Sequence, residues 1–317
     1  MAEIDAFSYV PMKVQPIGTH LPKGLDTAIT IIAILACILG FIANLVIFCM
    51  LRFMIKKTKI GTYFQNMAIA NIFLVIFCLF FHIKLFIRIL KPVKVNVVFA
   101  RLMVMLHILG DNTNFYIFTV ISVARFLFVY FPSWKQQHRP DNFTVFMCIL
   151  VWILSILVSL VDNYSCYPRY QTSIDDFLFR CRASSLFRII LELVILLPVM
   201  IFCAMALFVR MQKREPQTAP AGIDVSIIAT AVLFLLLDSP VRAGQDALPW
   251  NYSVNADVLV RMFMFFESIS NSAFPFVFFF VGLWKRQARE PLFMYLERAI
   301  IEEENVRETT ETSEEEA

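Results

Sequence analysis

Long apolar runs divide the chain at about 27–52, 62–88, 98–128, 142–163, 185–210, 223–247 and 256–282. Each is long enough to cross a bilayer as a helix, which takes roughly 20 mainly apolar residues because every backbone polar group in lipid must be paired within its own segment. The third and seventh runs are interrupted by single polar residues, the pattern of a span that turns one face toward a bundle interior. The predicted fold is an all-α membrane protein, a seven-transmembrane helix bundle over residues 27–282. Beyond it, Leu292, Phe293, Tyr295, Leu296 and Ile300 oppose Lys285, Arg286, Arg289 and Arg298, which predicts a cytoplasmic amphipathic eighth helix at 283–303 lying on the membrane surface.

Composition agrees with this pattern. At 59% hydrophobic and 17% charged residues, with a mean hydropathy of +0.70, the chain is too apolar for a water-soluble enzyme or a disordered protein. A net charge of +3 without a basic tract argues against a nucleic-acid partner. Residues 1–24 are mildly polar and lack the charged-then-apolar order of a cleavable signal peptide, so insertion is expected to start from an internal span.

Lysine and arginine set the orientation. Arg52, Lys56, Lys57 and Lys59, then Lys135 and Arg139, then Arg210, Lys213 and Arg214, and finally Lys285, Arg286 and Arg289 mark one side as cytoplasmic. The opposite connections carry Lys91, Lys94, Arg169, Arg180 and Arg182, offset by Asp175 and Asp176. Residues 1–26 are then an extracellular N-terminus, and 304–317 an acidic, disordered cytoplasmic tail. Thr309, Thr310, Thr312 and Ser313 lie among its glutamates, which fits a solvated tail and, equally, a phosphorylatable one.

Cys37, Cys49, Cys78, Cys148 and Cys203 fall inside spans, where a thiol behaves as a small apolar group. Cys166 and Cys181 lie in the second outer connection and are the two candidates for a disulfide there. Of three glycosylation sequons, Asn142 falls on the cytoplasmic side and Asn163 hugs the membrane, which leaves Asn251. Nucleotide-binding, zinc-protease and nucleophile-elbow motifs are absent, and the histidines are scattered without ligand spacing, so neither catalysis nor a cofactor or metal is expected.

Ile121-Ser-Val-Ala-Arg-Phe126, followed by Phe131-Pro132, resembles the "ISVERC" to "YP" stretch at the inner end of the third span of rhodopsin-like G-protein-coupled receptors. Gly40 and Asn44, Met67-Ala-Ile-Ala-Asn71, Trp152, Pro198 and Pro240 stand at the marker positions of other spans. Ser270-Asn-Ser-Ala-Phe-Pro-Phe-Val-Phe-Phe-Phe-Val-Gly282 is similar to the "NSSANPFIYFFVG" of the Mas-related subfamily. Asp111-Asn-Thr, His138-Arg-Pro, Pro240-Val-Arg242 and Leu296-Glu-Arg-Ala-Ile-Ile-Glu302 support the same subfamily. Mas-related receptors lack the usual third-span cysteine and join the end of the fourth span to the start of the fifth, a pattern that Cys166 and Cys181 match.

The resemblance implies a plasma-membrane receptor that binds an extracellular ligand and activates a heterotrimeric G protein beneath Arg125, with arrestin as a partner of a phosphorylated tail. Four positions depart from the receptor pattern. Ala124 replaces the acid that pairs with the motif arginine, so the restraint on Arg125 is expected to be missing. Asn71 replaces a membrane-embedded aspartate, implying a collapsed sodium site. Phe274 and Phe278 replace the amide and phenol that organise buried water. These departures also allow a non-signalling or constitutively biased seven-span accessory protein that modifies a partner receptor. A transporter or channel is disfavoured, since internal repeats and glycine-broken spans are absent.

Counting 1.5 Å per residue places Asp111, Asp238 and Glu267 at comparable depth in the outer half. They suit a cationic ligand such as an amine or basic peptide, or, equally, internal pairing with Arg242, Lys84 and Arg88. His107 stands where amine receptors carry their acid, which disfavours a small monoamine. Asp162, four residues before Cys166, matches the acid that contacts cationic ligands in some Mas-related receptors; the second acid of that pattern is here Ser185. The competing reading caps the fourth span with Asp162 or pairs it with Arg182. Glu192, mid-span in the fifth run, is a further candidate provided it faces the bundle. Phe263, Phe265 and Phe266 read as packing surface.

Overall fold

A computed structural model of the protein describes residues 23–54, 58–90, 96–131, 142–166, 174–213, 222–250 and 256–284. Among them, seven helices are long and apolar enough to cross a membrane: Gly24–Phe53, Lys59–Arg88, Val98–Tyr130, Phe143–Cys166, Asp175–Lys213, Gly222–Ala247 and Val258–Val281. The tail and Asn251 lie outside the described residues, as do all but 23–26 of the predicted N-terminus and all but 283–284 of the predicted eighth helix; those four and two residues belong to the helices of the first and seventh spans. Large apolar side chains such as Leu39, Phe53, Leu157, Phe202 and Phe280 stay exposed around the helices, as a lipid-facing surface requires.

The fifth helix departs most from the expected boundaries, beginning about ten residues before 185. Its first segment, Ile174–Arg188, is polar and reaches beyond the apolar run. A disulfide between Cys166 and Cys181 ties that segment to the end of the fourth span, so the helix extends without an apolar face of its own.

Packing runs around a ring. The first span contacts the second and seventh, the third contacts the second, fourth and fifth, and the sixth contacts the fifth and seventh. Small residues permit the closest approaches. A Cβ on Gly110 would stand 3.0 Å from both the Ala70 carbonyl and Leu74 Cγ, and one on Gly40 would overlap Ser272. Ser272 donates to the Ala36 carbonyl at 2.9 Å across that same contact between the first and seventh spans.

Prolines shape the site by disturbing backbone ladders. A proline lacks an N–H and crowds the carbonyl four residues earlier. Pro198 and Pro240 follow π-helical segments, Ile189–Leu196 and Phe234–Asp238, in which Leu197 and Ser239 donate five residues back, to Glu192 and Phe234. The wider turn rotates the residues before it, and these two segments contain Glu192 and Asp238. In the seventh span, Pro275 leaves the carbonyl of Asn271 without its intrahelical donor, and Asn44 Nδ2 of the first span supplies one at 3.3 Å.

A buried ionic network and a cavity in the bundle

Three charge clusters occupy the half of the bundle that carries the disulfide. Arg242 of the sixth span donates to Asp111 Oδ1 of the third at 2.6 Å and to Glu192 Oε2 of the fifth at 2.7 Å. Tyr116 donates to the other Glu192 oxygen at 2.8 Å. Glu192 is fully buried, so the fifth-span acid faces the bundle as its position required. Asp238, although one turn from Arg242, is not hydrogen-bonded to it; Arg242 reaches instead to the third and fifth spans, with its guanidinium 4.8 Å from the Phe115 ring centre.

In the second cluster, His107 Nε2 of the third span meets Glu267 Oε1 of the seventh at 2.5 Å. Gln245 of the sixth span donates to the other Glu267 oxygen at 3.4 Å. The imidazole lies against Phe77, with ring centres 4.3 Å apart. The third cluster corrects the expected pairing of Asp162. Its partner is Arg188, at 3.4 Å, with Ser184 donating to the second oxygen at 3.1 Å. Arg182 instead lies over the Trp250 ring, 5.6 Å from its centre. Arg188, at the end of this helical segment, is largely buried and also pairs with Asp246 of the sixth span.

A cavity beside the Cys166–Cys181 bridge is lined by Asp111, Asp162, His107 and Arg188, with Phe77, Phe81 and Phe263 on its apolar side. Asp111 and Asp162 therefore line this cavity, while Glu192, Glu267 and Asp238 are not among its lining residues. Phe263, read as packing surface, also faces it. Arg188 and Asp246 were not singled out from sequence. The available signal was their being ionisable residues within helical, membrane-depth segments, where a charge needs a partner.

At the other end of the bundle, Arg125 is buried and its Nε donates to Asp224 Oδ1 at 2.6 Å. Asp224 lies in the first turn of the sixth span. Ala124 offers Arg125 no acid, as expected; an acid of the sixth span, Asp224, pairs with it instead. Arg210 donates to the Val129 carbonyl at 2.9 Å and Tyr130 to the Ala206 carbonyl at 2.8 Å, which binds the fifth span to the third nearby.

Residues 34–224 match the family of serpentine type 7TM GPCR chemoreceptors, Srx. The chain is also 30% identical over 269 residues to the Proto-oncogene Mas protein of Rattus norvegicus, covering 84% of this chain and 81% of that protein. It belongs to the Mas and Mas-related G-protein-coupled receptors. Proto-oncogene Mas of Homo sapiens is 30% identical over 268 residues, covering 83% of this chain and 80% of that one. The Mas-related G-protein coupled receptor member D of Macaca fascicularis is 28% identical over 279 residues, covering 86% and 84%.

In this receptor the altered positions fall in the middle of the bundle and toward its Arg125 end. Phe278 is buried against Phe64, with ring centres 4.7 Å apart, and against Phe274 at 5.1 Å. Aromatic packing thus fills positions where the receptor pattern has an amide and a phenol. Asn71 is fully buried, and neither of its side-chain polar atoms has a hydrogen-bond partner among the described residues.

Proposed function

We propose that this multi-pass membrane receptor binds an extracellular cationic ligand, an amine or basic peptide, in the cavity beside the disulfide and activates a heterotrimeric G protein beneath Arg125. The observation that carries the reading is the imbalance of charge. Asp111, Asp162, Glu192, Asp246 and Glu267 pair with Arg188, Arg242 and His107, and Asp238 is a further buried acid one turn from Arg242. Two opposite unit charges 4 Å apart attract by about 4 kcal/mol at an effective dielectric constant of 20, so surplus carboxylates beside a cavity attract a cation strongly. The apolar wall of Phe77, Phe81 and Phe263 suits the hydrocarbon part of such a ligand.

The orientation that goes with this reading places the disulfide end outside, in the oxidising compartment, and the basic connections inside. Asn251 is then the glycosylation site, residues 283–303 lie on the inner leaflet, and the tail, once phosphorylated, recruits arrestin. Arg125, held by one acid of the sixth span, becomes available to a G protein when that span moves.

The test is nucleotide exchange on a panel of G proteins, in membranes containing the receptor and a library of basic peptides. Activation by cationic members that is lost in both Asp111→Asn and Asp162→Asn supports the reading. Activation by uncharged members alone refutes it.

A further inference from the structure

We propose that Arg188, shared between Asp162 and Asp246, is a built-in surrogate for the ligand's cation that a cationic ligand displaces from Asp162 so that it pairs with Asp246 alone, and that Asp246 thereby sets ligand affinity without touching the ligand. This inference rests on the cationic reading of the cavity given above.

Arg188 is shared between acids of two different spans. Its NH1 reaches Asp162 Oδ2 of the fourth span at 3.4 Å, well beyond the roughly 2.7 to 2.9 Å of a strong charge-assisted bond. Its NH2 makes the closer contact, to Asp246 Oδ1 of the sixth span. Arg188 Nε and Asp246 Oδ2 are both buried without a partner, and they belong to this same pair. A small rotation of the guanidinium lets Nε meet Oδ2 and completes a bidentate pair, the geometry in which arginine holds carboxylate best. The long contact to Asp162 is the one given up.

The two acids differ in what they can reach. Asp162 lines the cavity, as does Arg188, whereas Asp246 is fully buried and is not part of the cavity wall. When the guanidinium leaves, Asp162 keeps the Ser184 hydroxyl as a donor and presents its charge to a ligand cation. Asp246 is itself fixed, since Ser185 of the fifth span donates to its carbonyl at 2.5 Å. A ligand cation thus replaces a weak internal contact, and the displaced arginine gains a stronger one that draws the fifth and sixth spans together.

Saturation binding of a fluorescent diarginine amide to full-length receptor in nanodiscs separates the possibilities. With Asp246→Asn, Arg188 has lost its second seat and holds Asp162 more firmly, so affinity should fall tenfold or more. Asp246→Glu should keep the parent affinity within about threefold. The charge-neutral double variant Arg188→Gln/Asp246→Asn has no surrogate and should bind at least threefold more tightly than the parent. That order, double variant above parent above single, is not what loss of a structural ion pair gives. An Asp246→Asn receptor with parent affinity overturns the proposal. Should Asp246→Asn fail to fold, the double variant decides, and binding equal to or weaker than the parent overturns it. Binding that is indifferent to Asp162→Asn, or absent in the parent, overturns the cationic reading of the cavity and the proposal with it. Binding that needs Asp162 but ignores Asp246 overturns the proposal alone.

Discussion

Asp224 holds Arg125 from across the bundle, accepting from its Nε at 2.6 Å, so the third and sixth spans are tied at a point where the residue preceding the arginine offers only a methyl group. A charge-assisted bond of this kind contributes about 1.5 to 3 kcal/mol. An outward movement of the sixth span would break it.

Asp224→Asn, which keeps the shape and removes the charge, should therefore raise ligand-free nucleotide exchange by about tenfold, the equivalent of roughly 1.4 kcal/mol in the balance of states. Adding Ala124→Glu to that variant returns an acid beside the arginine and should lower exchange again. Unchanged basal exchange in Asp224→Asn would show that the pair does not restrain the receptor.

The disulfide should stabilise the fold chiefly by restricting the unfolded chain. A loop of about 15 residues corresponds to about 3 kcal/mol in the chain-entropy model, and Cys166 and Cys181 are separated by 15. The Cys166→Ser/Cys181→Ser receptor should therefore melt at clearly lower temperature in detergent. Non-reducing peptide mapping of the parent should recover the two cysteines as one linked fragment.

Asn44 and Asn271 offer a sharper stability test because the need for their contact is created elsewhere, by Pro275. Asn44→Leu keeps the volume but leaves the Asn271 carbonyl buried without its cross-span donor. Such a group costs about 1 to 3 kcal/mol. The melting temperature should fall, and Pro275→Ala in the same chain should recover much of the loss, since an alanine N–H can reach that carbonyl along the helix.

The seven spans were legible in the sequence because lipid demands long apolar runs whatever the tertiary contacts. The polar extension Ile174–Arg188 was not, since its helicity depends on the tether at Cys181 and on packing against the fourth and sixth spans. Asp111 could be read from its depth and Asp162 from the resemblance to Mas-related receptors, and both line the cavity. Arg242 was among the partners read for Asp111, and it pairs with it; Arg188 was not read for Asp162, because which arginine of Ile174–Arg188 turns inward depends on helix rotation. Asp224 was hidden for a related reason: near the end of its span it reads as an interfacial charge, and nothing in its local sequence says that it points to Arg125.

The cluster of Arg242, Glu192 and Asp111 gives the most demanding prediction. All three side chains are largely withdrawn from solvent, with Glu192 at 0% and Arg242 at 6% exposure. Removing one member of such a set leaves unbalanced charge in a poorly solvated site, which costs about 3 to 5 kcal/mol, although the whole set can be replaced by neutral groups with little loss. Arg242→Gln should therefore be the most destabilising of the single neutral substitutions at this site, since it exposes Glu192 and Asp111 to each other without a cation. Glu192→Gln should cost less, because Arg242 keeps Asp111 and Tyr116 keeps an amide oxygen to donate to. Arg242→Gln/Glu192→Gln/Asp111→Asn should recover most of the stability while losing the cationic probe, since Asp111 lines the cavity. Thermal melting ranks the stabilities and probe binding gives the second readout. A triple variant as unstable as Arg242→Gln alone would mean that Arg242 acts through packing on Phe115, 4.8 Å away, and not through its charge.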